Sequence, residues 1–162
     1  IANGPGVRTS LFVSGCTHRC KGCFNEIAWD FNYGRDFTDD TIKEIIDSLA
    51  PDYVTGLTLL GGEPFEHSNQ QGLLPLLREV RRIYPDLSIW CFTGYLFDKD
   101  IVEKMCNEWK ETKEMLQYID VIVDGKYEED KKDMLQFKGS SNQRTILVKE
   151  SLESGNIVLL YD

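Results

Sequence analysis

The chain has 162 residues, about one domain's worth, and its 41% apolar and 28% charged residues are typical of a globular protein. Its formal net charge of −9 argues against direct nucleic-acid binding, which needs many cations facing the phosphates. No apolar run approaches the ~20 residues that cross a bilayer, and the odd count of five cysteines argues against a secreted disulfide framework. We therefore expect a cytoplasmic protein without membrane or nucleic-acid partners.

Strand and helix patterns alternate through the first half of the chain. Residues 9–13 predict a strand that ends at Gly15 and leads into a cysteine-rich loop. Thr38 is a favourable helix N-cap, and Pro51 ends the helix that follows. A short apolar run between glycines, at 57–60, predicts a buried strand. The apolar positions on one face of the predicted helix are Ile42, Ile45, Ile46 and Leu49.

The second half continues the alternation. A helix is predicted to begin near Pro75, with three arginines facing water, and strands are predicted at 87–92 and 118–123. The tail, 144–161, predicts two strands joined around 154–156. The apolar positions expected to face the core are Leu76, Leu77, Val80 and Ile83 in the helix near Pro75, and Ile101, Val102, Met105 and Trp109 in a further helix. The arginines are Arg78, Arg81 and Arg82.

Strands separated by helices predict βαβ units, a parallel sheet and right-handed crossovers. The chain is too short for a closed eight-stranded barrel, which needs roughly 250 residues, so we expect an α/β fold forming an open partial (βα) barrel with helices outside. We expect one domain over 1–162, with some N-terminal sequence missing because Ile1 enters mid-pattern. In such folds the chemistry lies at the carboxyl ends of the strands.

Three of the five cysteines form the pattern C-x3-C-x2-C, at Cys16, Cys20 and Cys23. This clustering is typical of a metal site, and the neighbouring Arg19 and Lys21 favour the thiolate forms that bind metal. Three thiolates can hold three corners of a cubane iron–sulfur cluster, whose usual complement is four. One iron then lacks a protein ligand and is open to a small molecule.

Zinc is the competing interpretation. His18 could complete a Cys3His site, and the chain would then be a zinc-binding interaction module without catalysis. Structural zinc sites usually take ligand pairs from two separate segments, whereas His18 lies between two of the cysteines. The sequence therefore favours the cluster.

The triplet resembles the cluster loop of the radical S-adenosylmethionine (SAM) superfamily, and so does a second element. Gly61, Gly62 and Glu63 directly follow the strand at 57–60. In that superfamily such an element holds the amino end of the methionyl group. Two glycines allow a close backbone approach, and Glu63 can accept hydrogen bonds from an ammonium. The resemblance implies a [4Fe–4S] cluster and SAM as cofactors.

Within the superfamily, four stretches resemble the activating proteins of anaerobic ribonucleotide reductase: residues 16–25, 92–95, 123–126 and 137–144. There is one departure from the broad superfamily, where an aromatic residue commonly precedes the third cysteine. Here Gly22 stands at that position, and Phe24 follows the cysteine instead. We assign Phe24 and Asn25 to cofactor binding.

The resemblance implies a reaction and its partners. Reductive cleavage of SAM on the cluster, which the cysteine triplet carries, gives a 5′-deoxyadenosyl radical that removes a hydrogen from a glycine Cα. The glycine belongs to the glycyl-radical subunit of anaerobic ribonucleotide reductase, and the electron comes from a donor such as a flavodoxin-type protein. The alternative is a radical SAM enzyme acting on another peptide or on a small molecule.

Further candidate residues follow two more predicted strands. Thr93 and Gly94 could approach a ribose or carboxylate, and Lys126 could pair with the cofactor carboxylate, which makes it a candidate catalytic residue as well. Asp124 could accept from a hydroxyl or fix Lys126. If the sheet is parallel, these residues share one rim with the triplet and Glu63. Ordinary turns are the alternative, since Asp-Gly is common in turns.

Three other features have less specific interpretations. The polar stretch 139–144 either shapes this rim, contacts the partner, or is an ordinary loop. His67 is expected to be a solvated loop residue. Cys91 and Cys106, in an apolar strand and a helix, are expected to be packing residues.

Overall fold

A computed structural model of the chain describes residues 4–14, 37–131, 138 and 140–160. The strands in these residues are β1 Val7–Val13, β2 Val54–Gly61, β3 Ser88–Phe92, β4 Val121–Asp124 and β5 Arg144–Leu147. They form one sheet in the order of the sequence. The first four are mutually parallel, and β5 is antiparallel to β4. The predicted α/β class is confirmed, and the predicted parallel sheet is found except at β5, which is antiparallel.

Helices and turns connect successive strands of this sheet, and one helix follows the last strand. They are α1 Asp39–Ser48, α2 His67–Ile83, a π-helix Phe97–Met105, α3 Cys106–Glu108, α4 Lys110–Tyr118, a 3₁₀ turn Glu129–Lys131 and α5 Val148–Ser154. The predicted cap of α1 is confirmed as a capping box, since Thr38 and Thr41 each accept from the other's backbone N–H. None of the described helices has the length and apolar character needed to cross a membrane.

The two faces of the sheet differ in what they contact. Alternation along each strand directs Leu57, Leu59 and Ile89 into the main core, which the helices cover. The opposite face carries a smaller cluster around the buried Trp90. There the guanidinium of Arg8 lies 5.7 Å from the Trp90 ring centroid and donates to Thr58 Oγ1. Because β1 to β4 are parallel, their carboxyl ends lie at one edge.

The predicted start of α2 near Pro75 is wrong. The helix begins at His67 and contains Pro75, because the proline lies on the exposed face, where the carbonyl that it leaves unbonded can meet water. The buried Leu73 and Leu74 extend the apolar face toward the N-terminus. At the other end, Ile83 is 39% exposed, contrary to prediction.

Arg81 was expected to face water, but its side chain is largely buried. Its side chain is 19% exposed, because it donates to the carbonyl oxygens of Leu87 and Tyr118 and to Asp120. These bonds fix the turn before β3 to the end of α4. Arg81 therefore crosslinks the loops opposite the rim, whereas Arg78 and Arg82 are the exposed arginines that the sequence predicted.

The region between β3 and β4 holds more helix than predicted. The predicted helix at 101–109 is a π-helix followed by one short turn, and the extended Trp109 separates it from α4. The helix α4 was not predicted, and the strand β4 begins at Val121 rather than Tyr118. One of the buried positions of α4 is the polar Thr112, so the sequence lacks the continuous apolar stripe from which a helix is predicted.

The tail forms a strand, a helix and a returning segment rather than two strands. After β5 the chain makes α5, which ends at Gly155 in the left-handed conformation. The returning segment still pairs with β5, since Leu147 N donates to Val158 O at 2.9 Å and Leu160 N donates to Thr145 O at 2.9 Å. The predicted pairing of the two ends therefore exists. The segment between them is a helix rather than a continuation of the strand, and it buries Val148 and Ser151 on one face.

Candidate active site

The carboxyl ends of β1 and β2 lie in direct contact. The N–H of Gly62 donates to the carbonyl of Val13 at 2.7 Å. Gly61 has a φ of 110°, and a Cβ there would lie 2.7 Å from both the nitrogen and the oxygen of Val13. Both the backbone conformation and the close approach require glycine at this position. The predicted Gly61–Gly62 element therefore lies beside the segment that leads to Cys16.

Glu63 is a fully buried carboxylate that joins the loops after β2 and β3. Its Oε2 accepts from Thr93 Oγ1 at 2.6 Å and from the Phe65 N–H at 2.8 Å. Its Oε1 accepts from the Gly94 N–H at 2.7 Å. The structure thus brings three of the predicted residues together, with Glu63 directed at Thr93 and Gly94. An ammonium contact by Glu63 stays a prediction.

Two polar residues of α2 hold this loop and were not singled out from the sequence. Asn69 Nδ2 donates to the carbonyls of Ser14 and Glu63, at 2.9 and 2.8 Å. Gln70, fully buried, donates to the carbonyl of Phe65 at 2.8 Å and accepts from Thr112 Oγ1 at 2.6 Å. The only signal in the sequence was a run of three amides, at 69–71, near the start of a helix whose buried residues are otherwise apolar.

Asp124 is paired with Arg144 rather than with Lys126. Arg144 donates through Nε to Asp124 Oδ1 at 3.1 Å and through Nη2 to Oδ2 at 2.6 Å. The same oxygen accepts from the Phe97 N–H at 2.8 Å, and Arg144 also bonds Asp98 at 2.9 Å. Hydrogen bonding to Asp124, and then to Asp98, raises the pKa of Arg144. Arg144 also lowers the pKa of Asp98.

The stretch 140–144 shapes the rim beside β4. Asn142 Nδ2 donates to the carbonyl of Lys126 at 2.8 Å, and Gln143 Nε2 donates to that of Gly125 at 2.9 Å. Gly125, with a φ of 95°, donates its N–H to the carbonyl of Tyr95 at 3.1 Å. These bonds fix the backbone that carries Lys126, whose side chain is exposed.

His67 makes specific contacts instead of being a solvated loop residue. It begins α2, its Nε2 lies 3.0 Å from Glu111 Oε1, and its ring stacks on Trp109 with the ring centroids 4.3 Å apart. The hydrogen bond with His67 lowers the pKa of Glu111. The cluster fastens the start of α2 to the start of α4.

The two isolated cysteines are free thiols in packed surroundings, as predicted. Cys91 is fully buried in the main core, and burial, together with the charge of Glu63, raises its pKa well above the ordinary 9.0. Cys106 packs at the edge of that core, and burial raises its pKa as well. Both thiols are protonated near neutral pH.

The predicted cluster ligands Cys16, Cys20 and Cys23, and the predicted cofactor contacts Phe24 and Asn25, lie outside the described residues. In the described ranges, no group of three His, Cys, Asp or Glu side chains is arranged to hold a metal ion. The structure shows the two residues that precede the cysteine loop: Val13 bonds Gly62, and Ser14 is joined to Glu63 through Asn69.

Comparison with known proteins decides the family. A family model for a 4Fe-4S single cluster domain matches residues 2–146. The anaerobic ribonucleoside-triphosphate reductase-activating protein of Enterobacteria phage T4 is 42% identical over 144 residues, which are 89% of this chain and 86% of its own. The chain belongs to this family. Proteins of the same name from Haemophilus influenzae and Escherichia coli K12 are 42% and 39% identical, each over 88% of this chain and 89% and 90% of theirs.

Membership in this family confirms the expected [4Fe–4S] cofactor over the zinc alternative, since the matching family model is that of a single 4Fe-4S cluster. The assignment of the three cysteines as its ligands stays a prediction. It also confirms the family resemblance that the four sequence stretches indicated. No solved structure matches the chain significantly.

Proposed function

We propose that this chain is a radical SAM activase that installs a glycyl radical on an anaerobic ribonucleotide reductase. The observation that carries the proposal is the 42% identity, over 89% of the chain, to a reductase-activating protein. The described site supports it, because the segment leading to the cysteine triplet is fixed beside the Gly61–Glu63 loop at the shared strand edge.

The residues fit the two cofactors that this function needs. Cys16, Cys20 and Cys23 supply three thiolates, the ligand type that holds a [4Fe–4S] cluster, and leave one iron for a small-molecule ligand. Val13 lies in contact with Gly61 and Gly62, so a ligand on that iron would meet the glycine loop nearby. When bound, the reduced cluster supplies the electron that cleaves SAM to methionine and a 5′-deoxyadenosyl radical, which takes the glycine hydrogen.

The protein's own residues bind and orient the cofactor. The Gly61–Gly62 backbone can approach the methionyl group closely, and Thr93 and Gly94 lie next to it on the rim through their bonds to Glu63. The exposed Lys126 can reach a carboxylate from a backbone that Asn142 holds. Phe24 and Asn25, directly after the triplet, complete the proposed contacts.

We further propose that the sheet is an open partial barrel of the radical SAM type. The helix-packed core lies on one face of the sheet, and the Trp90 cluster lies on the other, which would be the inner face. An open side admits the glycine loop of a partner, which must come within about 3–3.5 Å of the reacting carbon. A flavodoxin-type electron donor and a cytoplasmic location belong to the same proposal.

The test is a glycyl-radical assay. Anaerobically cluster-loaded protein, reductant and SAM are incubated with the glycyl-radical subunit of an anaerobic ribonucleotide reductase. We expect a glycyl radical signal by electron paramagnetic resonance, and none with Cys20→Ala, which lacks one cluster ligand. SAM cleavage without a glycyl radical would reject the proposed substrate, and SAM cleavage by Cys20→Ala would reject the ligand assignment.

A further inference from the structure

Asn69, in the first turn of α2, joins the ends of β1 and β2 through one side chain. Its Nδ2 donates to the carbonyl of Ser14 at 2.9 Å and to that of Glu63 at 2.8 Å. Carbonyl oxygens only accept, so the amide nitrogen, and not the amide oxygen, must face both of them. The two N–H groups of one amide therefore bridge two loops.

The first of these loops leads to the cysteine triplet. Two peptide units, at most about 7 Å of chain, separate the Cα atoms of Ser14 and Cys16. The residue before Ser14 is held as well, since the carbonyl of Val13 accepts from the N–H of Gly62. The backbone carbonyls of the two residues that precede the cysteine loop are therefore both held by hydrogen bonds.

The second loop extends the connection along the rim. The carbonyl of Glu63 accepts from Asn69, while its buried carboxylate accepts from Thr93 and Gly94. Asn69 therefore links the start of the cysteine loop, through one residue, to the end of β3. Partly buried hydrogen-bonded connections of this kind fix the relative positions of the segments that they join.

We propose that Asn69 is a positioning residue that sets the separation between Ser14, at the entry to the cysteine loop, and the Gly61–Glu63 loop. The inference rests on the proposed function, in which a single ligand, SAM, contacts both loops. Such a ligand binds tightly only where the two loops are already at the matching separation, because ordering them on binding costs affinity. Asn69 acts through the backbone of Ser14 and Glu63.

The experiment compares cluster loading with SAM affinity. Asn69→Asp keeps the shape of the side chain but removes both donors, and Asn69→Ala removes them without adding a charge. Asn69→Gln restores an amide on a longer side chain. The matched control is Asn107→Asp, since the amide of the exposed Asn107 donates to the carbonyl of Glu103 within one helical segment. Iron per chain is measured, and SAM affinity is measured by equilibrium dialysis on the oxidised cluster, where no turnover occurs.

We expect iron per chain to stay at the wild-type value in all four variants. SAM binding should weaken about tenfold in Asn69→Asp and Asn69→Ala, the effect of roughly one to two lost hydrogen bonds. It should recover in part in Asn69→Gln and be unchanged in Asn107→Asp.

The outcomes separate this inference from the proposed function. Wild-type SAM affinity in iron-loaded Asn69→Ala would overturn the inference and leave the function standing. Loss of iron and SAM binding together in both Asn69→Ala and Asn69→Gln would also overturn it, because that pattern indicates a general role in stability. Failure of the iron-loaded wild-type chain to bind SAM would overturn the proposed function instead.

Discussion

Replacing Arg144 by alanine tests how the rim beside β4 is held. Asp124 is fully buried, and Arg144 gives it two hydrogen bonds, at 2.6 and 3.1 Å. Arg144→Ala removes both, together with the bond to Asp98. The carboxylate then keeps its bond from the Phe97 N–H but loses its cationic partner.

The expected cost follows from burial. Removing one partner of a buried ion pair costs about 3–5 kcal/mol, because the remaining charge is left uncompensated. The Arg144 side chain is 31% exposed, so water can approach the vacated space, and we expect the lower end of that range, about 3 kcal/mol. For a chain of this length, that corresponds to a fall in Tm of roughly 9 °C.

The assay is thermal unfolding of the anaerobic, cluster-loaded protein, followed by circular dichroism. Arg82→Ala is the control, because Arg82 makes a comparable 2.6 Å ion pair with Glu79 but its side chain is 68% exposed. Water screens an exposed pair, so it adds little to stability, and the control should lose far less Tm than Arg144→Ala. Equal losses in the two variants would refute the conclusion that Arg144 stabilises the buried Asp124.

Two further predictions concern the β2 loop and the core. Gly61→Ala should lower the free energy of unfolding by about 2–3 kcal/mol, because the added Cβ strains the backbone and meets Val13. The control Gly72→Ala lies in an open part of α2 and should stabilise the protein slightly. Equal changes in the two variants, measured by chemical unfolding, would contradict this prediction. Burial raises the pKa of Cys91, so the unfolded thiol ionises first and stability falls as the pH rises above about 9. The stability advantage of the wild type over Cys91→Ala should therefore shrink by roughly 1.4 kcal/mol between pH 7 and 10. A constant difference in urea unfolding would show that Cys91 ionises equally in both states.

Local patterns predicted the fold where one residue type dominates an element. The capping residue Thr38 and the apolar stripe after it located α1, a short apolar run between glycines located β2, and the apolar run at 87–92 located β3. The helix α2 was predicted, but its start was placed wrongly because proline is a strong local signal for a helix start. A helix tolerates proline in its interior when the proline faces water, and that exposure is set by the tertiary structure. The helix α5 was missed for a similar reason, since the segment around Val148 has the composition of a strand.

In the candidate site too, local sequence signals predicted some residues, whereas residues that depend on distant partners were missed. The Gly61–Glu63 loop and Thr93 were predicted because each directly follows a strand. Asn69 and Arg144 were not assigned their roles, because their partners Ser14 and Asp124 lie 55 and 20 residues away in the chain. The parallel pairing of β1 with β2 brings the ends of these two strands beside each other, and the antiparallel pairing of β5 with β4 places Arg144 opposite Asp124.

The most direct test of the central claim is anaerobic electron paramagnetic resonance of the reduced, cluster-loaded protein with and without SAM. The account predicts a [4Fe–4S] signal that changes in shape and position when SAM is added, because three cysteines leave one iron open to it. A signal that SAM leaves unaltered, or a preparation that holds no iron and sulfide, would contradict it.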